Sequence, residues 1–300
     1  MKHEVQASLK IRTLHSVEDL EDVRRLESLV WSFEDSVPVN QSVAVVKNGG
    51  FILGAYYQEK LIGFQYSFPG FDGKKVYLVS HSLGIHSDFR KFGIGEMLKR
   101  AQKNTAAEMG YDVITWTYDP LETVNGNLNL HKLGAVVRTY ISNIYGDMSD
   151  QLNAGIATDR FLVEWRVRQS KSNSVAGNDL HFASAIDLKE CELGWLVDKV
   201  NLSLTPNHIS VSVPGHFQEI KRADLSLAMD WRKKTRDVFS HYLNHGWIVT
   251  DLVKDKEHHG QYLYLMEKGD HHNGNQTNHS KTDQDGFTES FYDECRDRNG

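Results

Sequence analysis

The run Arg90-Lys91-Phe92-Gly93-Ile94-Gly95 is the segment whose residue types and spacing best fit a chemical task. A strand pattern ends just before it, at Ile85, and a helical pattern, Glu96 to Met109, follows it. Glycines at such a strand-to-helix turn let the backbone approach a ligand and aim several amide N–H groups at one point. The helix N-terminus adds partial positive charge. A pyrophosphate suits this arrangement, and Arg90 or Lys91 can add a charge-assisted contact. Two spaced glycines before a helix also make an ordinary turn, so the surroundings must decide. Other nucleotide-binding signatures fail: the sequence has no Gly-x-x-x-x-Gly-Lys-Ser/Thr, and no strand–Gly-x-Gly-x-x-Gly–helix unit near its N-terminus.

The elements around the turn follow from periodicity. Ser8 to Leu14 alternates as a strand, and Ser16 caps a helix with Val17, Leu20, Val23, Leu26 and Val30 on its apolar face. Pro38 starts a second short helix that Gly49-Gly50 stops. Phe51–Tyr57 and Leu61–Phe68 flank the polar turn Gln58-Glu59-Lys60 as a hairpin, and Lys75 to Ile85 is a longer strand. After the glycine turn and its helix come a strand at Asp112–Tyr118, a helix through Leu128 and Leu133, and strands at Ala135–Tyr145 and Phe161–Val167. Beyond these, the pattern predicts a helix at Leu188–Val200, a long helix at Glu219–Asn244, and strands at Trp247–Val253 and Gln261–Met266. The fold class is α/β: a central mixed sheet with helices on both faces, plus a C-terminal α/β extension. Residues 1–169 are expected to form one domain, 170–178 a linker, 179–268 the extension, and 269–300 a disordered tail. No internal repeat is visible.

Composition narrows the function classes. A net charge of −6 over 300 residues argues against wrapping a nucleic-acid backbone. Two distant cysteines, Cys191 and Cys295, give neither a disulfide framework nor a four-cysteine zinc site. No run has the length of a membrane span, and Met1–Lys10 lacks the apolar core of a secretory signal, so a cytoplasmic protein is expected. His241 and His245 lie four apart on one helix, but a third ligand and a nearby acid are missing, so no metal is expected.

The order of these elements, with the Arg-x-x-Gly-x-Gly turn in its place, resembles the GNAT superfamily of acyl-CoA N-acyltransferases over roughly 8–168. Tyr77–Leu83, Trp116–Leu121, Asn127–Leu130, Leu133-Gly134-Ala135, Tyr145-Gly146, Thr158-Asp159-Arg160, Pro206 onward and Ala228–Arg232 with Thr235-Arg236 are similar to a narrower branch, the D-amino-acid N-succinyltransferases. The resemblance implies transfer of an acetyl or succinyl group from acyl-CoA to a small-molecule amine, with the α-amine of an amino acid as one acceptor. A catalytically weak acyl-CoA-binding sensor is the alternative. No nucleic acid, membrane or metal is implied, and a homodimer is compatible.

The resemblance also distributes roles. The strand before the turn would expose backbone amides to the thioester, so Ser82, Leu83, Gly84 and Ile85 would hold pantetheine and polarise the acyl carbonyl. Arg90, Lys91, Phe92, Gly93, Ile94 and Gly95 would hold the pyrophosphate, with Asn127 completing the CoA contacts. His81, Asp119 and Glu122 are base candidates, and a water chain is a further route. Many GNATs carry a tyrosine four residues before the glycine matching Gly134; here that residue is Leu130. Tyr118, Asn127, Asn129 and His131 are possible replacement acids, although a thiolate can leave unaided. Carboxylates on donor or acceptor would call for Arg160, Arg232 or Arg236, the last two also fitting a solvated basic helix face.

Overall fold

The computed structural model describes residues 2–148, 150, 152–169 and 181–269. The predicted linker and the tail from Asp270 lie outside the described residues. In chain order the elements are α1 (Lys2–Ser8), β1 (Lys10–Leu14), α2 (Val17–Val30), α3 (Val39–Lys47), β2 (Phe51–Tyr57), β3 (Lys60–Phe71), β4 (Val76–Ile85), α4 (Ile94–Glu108) and β5 (Val113–Tyr118). There follow α5 (Thr123–Gly126), β6 (Val136–Ile141), β7 (Arg160–Arg166), β8 (Ala183–Ser184), β9 (Ile186–Cys191), β10 (Gly194–Val200), β11 (His208–Pro214), α6 (Phe217–Ala223), α7 (Leu225–Asn244), β12 (Trp247–Lys254) and β13 (Gln261–Lys268). Eleven strands form one mixed sheet in the order β1-β2-β3-β4-β5-β7-β6-β12-β13-β11-β8, and β9 and β10 form a separate hairpin.

Local chemistry explains the elements that frame the turn. Ser16 and Asp19 close a reciprocal capping box at the start of α2. The β2–β3 turn uses Gln58 and Glu59 at φ 48 and 62, as a two-residue hairpin with the twist of its strands requires. Leu20, Val23 and Leu26 of α2 pack with Leu14, Ile52, Phe64 and Tyr66 as one cluster. Ile94, Leu98 and Ala106 of α4 belong to a larger cluster that continues into the C-terminal half. There Phe161 meets Tyr118, Tyr140, Phe239 and Tyr264 at ring-centroid distances of 5.7, 5.7, 4.7 and 5.4 Å.

Several C-terminal expectations are corrected. Residues 188–200 form the β9–β10 hairpin rather than a helix, because Gly194 at φ 104 turns the chain back and Trp195, Val197 and Val200 sit on strand β10. The long helix is two helices: Asp224 leaves helical geometry and its side chain caps α7 at Leu227 N. Strand β11 has no counterpart in the sequence reading, although Ile209, Val211 and Val213 alternate with Ser210 and Ser212; both sets are buried.

The structure contains an internal repeat of topology. β5, helix, β6, β7 stand in the order β5-β7-β6; β11, helices, β12, β13 stand in the order β11-β13-β12. In both units the outer strand pairs antiparallel with the last one. Antiparallel β6 and β12 join the units at Val137↔Val249. β4 runs parallel to β5 at Leu78↔Ile114 and β8 parallel to β11 at Ala183↔Ile209, the second residue of β5 and of β11. The extension therefore continues the first half's sheet across an approximate two-fold axis.

Candidate active site

β4 and β5 pair only at Leu78↔Ile114 and Val79↔Thr115. Beyond that rung they diverge, so Ser80 to Ile85 face Trp116 to Tyr118 across an open fork. β3 holds the other edge of β4 through Gly63↔Ile85, with an irregularity between Ser67↔Ser80 and Tyr66↔Ser82 that bulges His81 out of the ladder. The unpaired edge of β4 thus offers backbone groups to a ligand along Ser82, Leu83, Gly84 and Ile85. Gly84 is a glycine for an internal reason: a Cβ there would lie 2.3 Å from the Phe64 ring.

The glycine turn stands at the open end of the fork. Arg90 is extended, Lys91 has φ 68, and Gly93 caps α4 at φ 81. Among the described residues the amides of Lys91 through Glu96 find no acceptor inside the protein. That leaves unpaired N–H groups together at a helix N-terminus, an arrangement whose partial positive charge suits an anion. A Cβ on Gly95 would meet only Leu83 Cδ2 at 3.5 Å, so the space above this glycine is open to a ligand. Ile94 is buried beneath, Phe92 stacks edge-on with Phe89, and Gln6 of α1 donates to the Phe92 carbonyl at 2.7 Å. Sequence reasoning missed Gln6 because the first residues carry too short a pattern to signal a helix.

His81 lies exposed at the bulge, with Tyr66 and Phe68 rings 5.6 and 5.5 Å away. Desolvation there lowers its pKa, which favours the neutral imidazole. Glu27 of α2 is a further missed residue. It is buried on the same side, accepting from Val37 N at 3.0 Å and Ser82 Oγ at 3.4 Å, and burial raises its pKa. A glutamate on an otherwise apolar helix face was its only signal.

At the end of β5, Asp119 accepts from both terminal nitrogens of Arg232, Nη1 at 2.8 Å from Oδ1. It also caps Leu121 N at 2.8 Å, and Arg160 stands 3.7 Å away. Arg236 is bidentate to Asp159, which also takes the Tyr140 hydroxyl. The three arginines picked from the sequence therefore converge from both halves, but Arg232 and Arg236 each already hold a carboxylate. Glu122 is half-buried beside them, bonded to Gln218, and burial pushes its pKa up. A cavity of about 670 Å³ between the 143–157 loop and α7 is lined by Asn143, Met148, Met229, Arg232, Lys233 and Arg236, among others.

Tyr118 points into the core. It donates to the Tyr264 hydroxyl at 3.3 Å, which donates to the Pro120 carbonyl, and burial pushes its pKa far up. Such a phenol is poorly placed to exchange protons with a ligand. Leu130 is fully buried in a π-helical segment, Asn127–Lys132, that extends α5; Leu133 N reaches back to Leu128 O. Asn127 opens this segment half-buried, Asn129 is buried, and His131 meets Asp251 at 3.0 Å. The rings of His241 and His245 are 4.3 Å apart, and among the described residues no three potential ligands gather for a metal.

The acetyltransferase (GNAT) family matches residues 14–135, which run from the end of β1 to just before β6 and include both the fork and the turn. Solved structures with similarity to this chain include a putative GNAT acetyltransferase from Desulfovibrio desulfuricans, 12% identical, TM-score 0.44, over 53% of this chain and 99% of its own. The ribosomal-protein-S18-alanine N-acetyltransferase of Escherichia coli is 14% identical, TM-score 0.44, over 58% and 99%. A putative acetyltransferase from Salmonella typhimurium, solved with its cofactor acetyl-CoA, is 14% identical, TM-score 0.43, over 56% and 99%. No curated protein sequence matches the chain. Among the described residues no helix is long and apolar enough to cross a membrane.

Proposed function

We propose that this protein is an acyl-CoA-dependent N-acyltransferase that moves an acetyl or succinyl group from CoA to a small-molecule amine, the α-amine of an amino acid being the favoured acceptor. The observation that carries the reading is the open β4–β5 fork beside a glycine turn whose amides, Lys91 through Glu96, lack internal acceptors. In this reading the turn and Arg90 hold the pyrophosphate, and Asn127 and the β4 edge hold pantetheine. Amides of Ser82–Ile85 stabilise the oxyanion that forms when the amine attacks the thioester. The C–N bond forms as the C–S bond breaks. His81, neutral and exposed at the bulge, accepts the amine proton directly or through water. Tyr118 has no part in the proton path, and the thiolate leaves without a tyrosine acid. Asp119 keeps Arg232 in place beside the acceptor. Lys233 on the rim of the α7 cavity and Arg160 near Asp119 supply positive charge for an acceptor carboxylate, while Arg236 stays paired with Asp159.

The test is a thiol-release assay across acetyl-CoA and succinyl-CoA against D- and L-amino acids, with an aminoglycoside and a peptide amine as controls. Turnover with amino acids alone supports the reading. Turnover only with the controls moves the acceptor class elsewhere. Calorimetric CoA binding with no thiol release from any pair leaves an acyl-CoA-binding sensor, which the buried Leu130 in the acid's place would favour.

A further inference from the structure

Helix α7 ends on a histidine pair. His241 stands on its last turn, His245 is its C-cap residue, and the two ring centroids are 4.3 Å apart. His245 Nδ1 lies 2.7 Å from the His241 carbonyl oxygen. That oxygen can only accept, so Nδ1 carries the ring proton and Nε2 keeps a lone pair. His241 hydrogen-bonds the backbone of Leu202. Burial and the neighbouring His245 lower the His241 pKa, and the bond to Leu202 opposes them, which marks the imidazole as donor to a carbonyl. Among the described residues the second nitrogen of each ring meets no partner. His245 is exposed and His241 half-buried, so the pair is open to an ion from solvent.

Two imidazoles, each with one nitrogen fixed on a carbonyl and the other free, are the donor set that a late first-row divalent ion takes. Two nitrogens on one zinc ion lie about 3 Å apart, and rings at this centroid distance can offer that separation. The helix C-terminus adds partial negative charge, which favours a cation. Spacing along the helix gives no third ligand, but the fold does. Gly246, next to His245, accepts from Gly269 N at 2.9 Å, just past the end of β13. The sequence continues from there as Asp270-His271-His272. These three lie outside the described residues. Chain length alone keeps His271 within about 7 Å and His272 within about 11 Å of Gly269, so both are within reach of the pair. Arg232 is about 14 Å away along α7, which separates this place from the acyl-transfer site.

We propose that His241 and His245 hold a late first-row divalent metal ion, Zn²⁺ or Ni²⁺, with His271 and His272 from the chain beyond β13 completing the site. The ion is structural: it joins the end of α7 to the chain that leaves β13. The site stands apart from the acyl-CoA reading of the fork, and neither depends on the other. Mg²⁺, which prefers oxygen ligands, does not occupy it.

Calorimetric titration of the chelator-stripped full chain with ZnCl₂, NiCl₂ and MgCl₂ tests this. Wild-type protein should bind Zn²⁺ and Ni²⁺ at one ion per chain and Mg²⁺ not at all. His241→Ala, His245→Ala and the double variant His271→Ala/His272→Ala should each weaken Zn²⁺ binding about tenfold or more. Joining His241→Ala to that double variant should cost less than the two losses multiplied, because the four side chains serve one ion. His259→Ala should leave the affinity within about twofold. Zn²⁺ should raise the Tm of wild type and not that of His241→Ala, which gives a second readout on folded protein. Zn²⁺ affinity that survives loss of His241 or His245 means adventitious binding by the other histidines and overturns the proposal. Affinity unchanged in His271→Ala/His272→Ala overturns it as well, as does the absence of Zn²⁺ and Ni²⁺ binding to wild type.

Discussion

Replacing Asp119 by asparagine separates a structural carboxylate from a reacting one. Arg232 is 3% exposed, and its Nε has no hydrogen-bond partner, so its charge is balanced mainly by the two oxygens of Asp119. The amide that replaces the carboxylate would keep one oxygen for Leu121 N or Arg232 but no charge. Breaking one side of a buried pair leaves the other ion uncompensated and costs about 3–5 kcal/mol, against about 1 kcal/mol or less for an exposed pair. Arg160, 3.7 Å from Asp119, adds a second cation to the uncompensated site, so the upper part of that range applies. In a chain of this size 1 kcal/mol moves Tm by about 2–4 °C, so Asp119→Asn should melt roughly 8–20 °C lower. Calorimetry and denaturant titration read this directly. Arg232→Met in the same chain should restore much of the loss, because the double variant buries no lone charge. An Asp119→Asn protein that melts within about 2 °C of wild type refutes the reasoning. If that protein also lost turnover, the carboxylate would be a reacting group and the ion pair incidental.

Three more outcomes are expected. Gly95→Ala should fold with unchanged Tm, since its Cβ meets only Leu83 at 3.5 Å, yet weaken acyl-CoA binding about tenfold or more by calorimetry. An unchanged affinity would move the anion site elsewhere. His81 must be neutral to accept a proton, and desolvation lowers its pKa, so kcat/KM should hold down to a pH below about 6.5 and fall only in more acid solution. His81→Gln should cost about a hundredfold and remove that acid limb; a retained limb assigns the base to another group. Glu27 has a folded-state pKa above its unfolded one. Its contribution to stability is therefore full below the unfolded value, about 4.3, and is lost as pH rises through the folded value. Glu27→Gln keeps an acceptor for Val37 N, so its stability relative to wild type should grow from pH 4 to pH 7 in denaturant titrations. A difference that shrinks over that range contradicts the burial argument.

The sequence by itself determined the segments whose physics is local. The capping box at Ser16, the Gln58-Glu59 turn and the glycine turn at Gly93 and Gly95 are each fixed by residues within a few positions of one another. They are readable, with the strand-to-helix order around them, without any knowledge of packing. The tertiary structure decided what depends on distant neighbours. The pattern at 188–200 fits helix or strand until Gly194 turns it into a hairpin. Tyr118 stands at the end of its strand, available by position, but Tyr264, 146 positions away, takes its hydroxyl into the core. Arg232 and Asp119 are 113 positions apart, and nothing in either neighbourhood shows that they pair. His241 and His245 read as a helical pair without a third ligand, and only the bond from Gly269 to Gly246 brings the chain beyond β13 to them. The repeat of β5–β7 in β11–β13 is likewise invisible in the residues, because a sheet's connectivity constrains which positions are buried and not which side chains fill them.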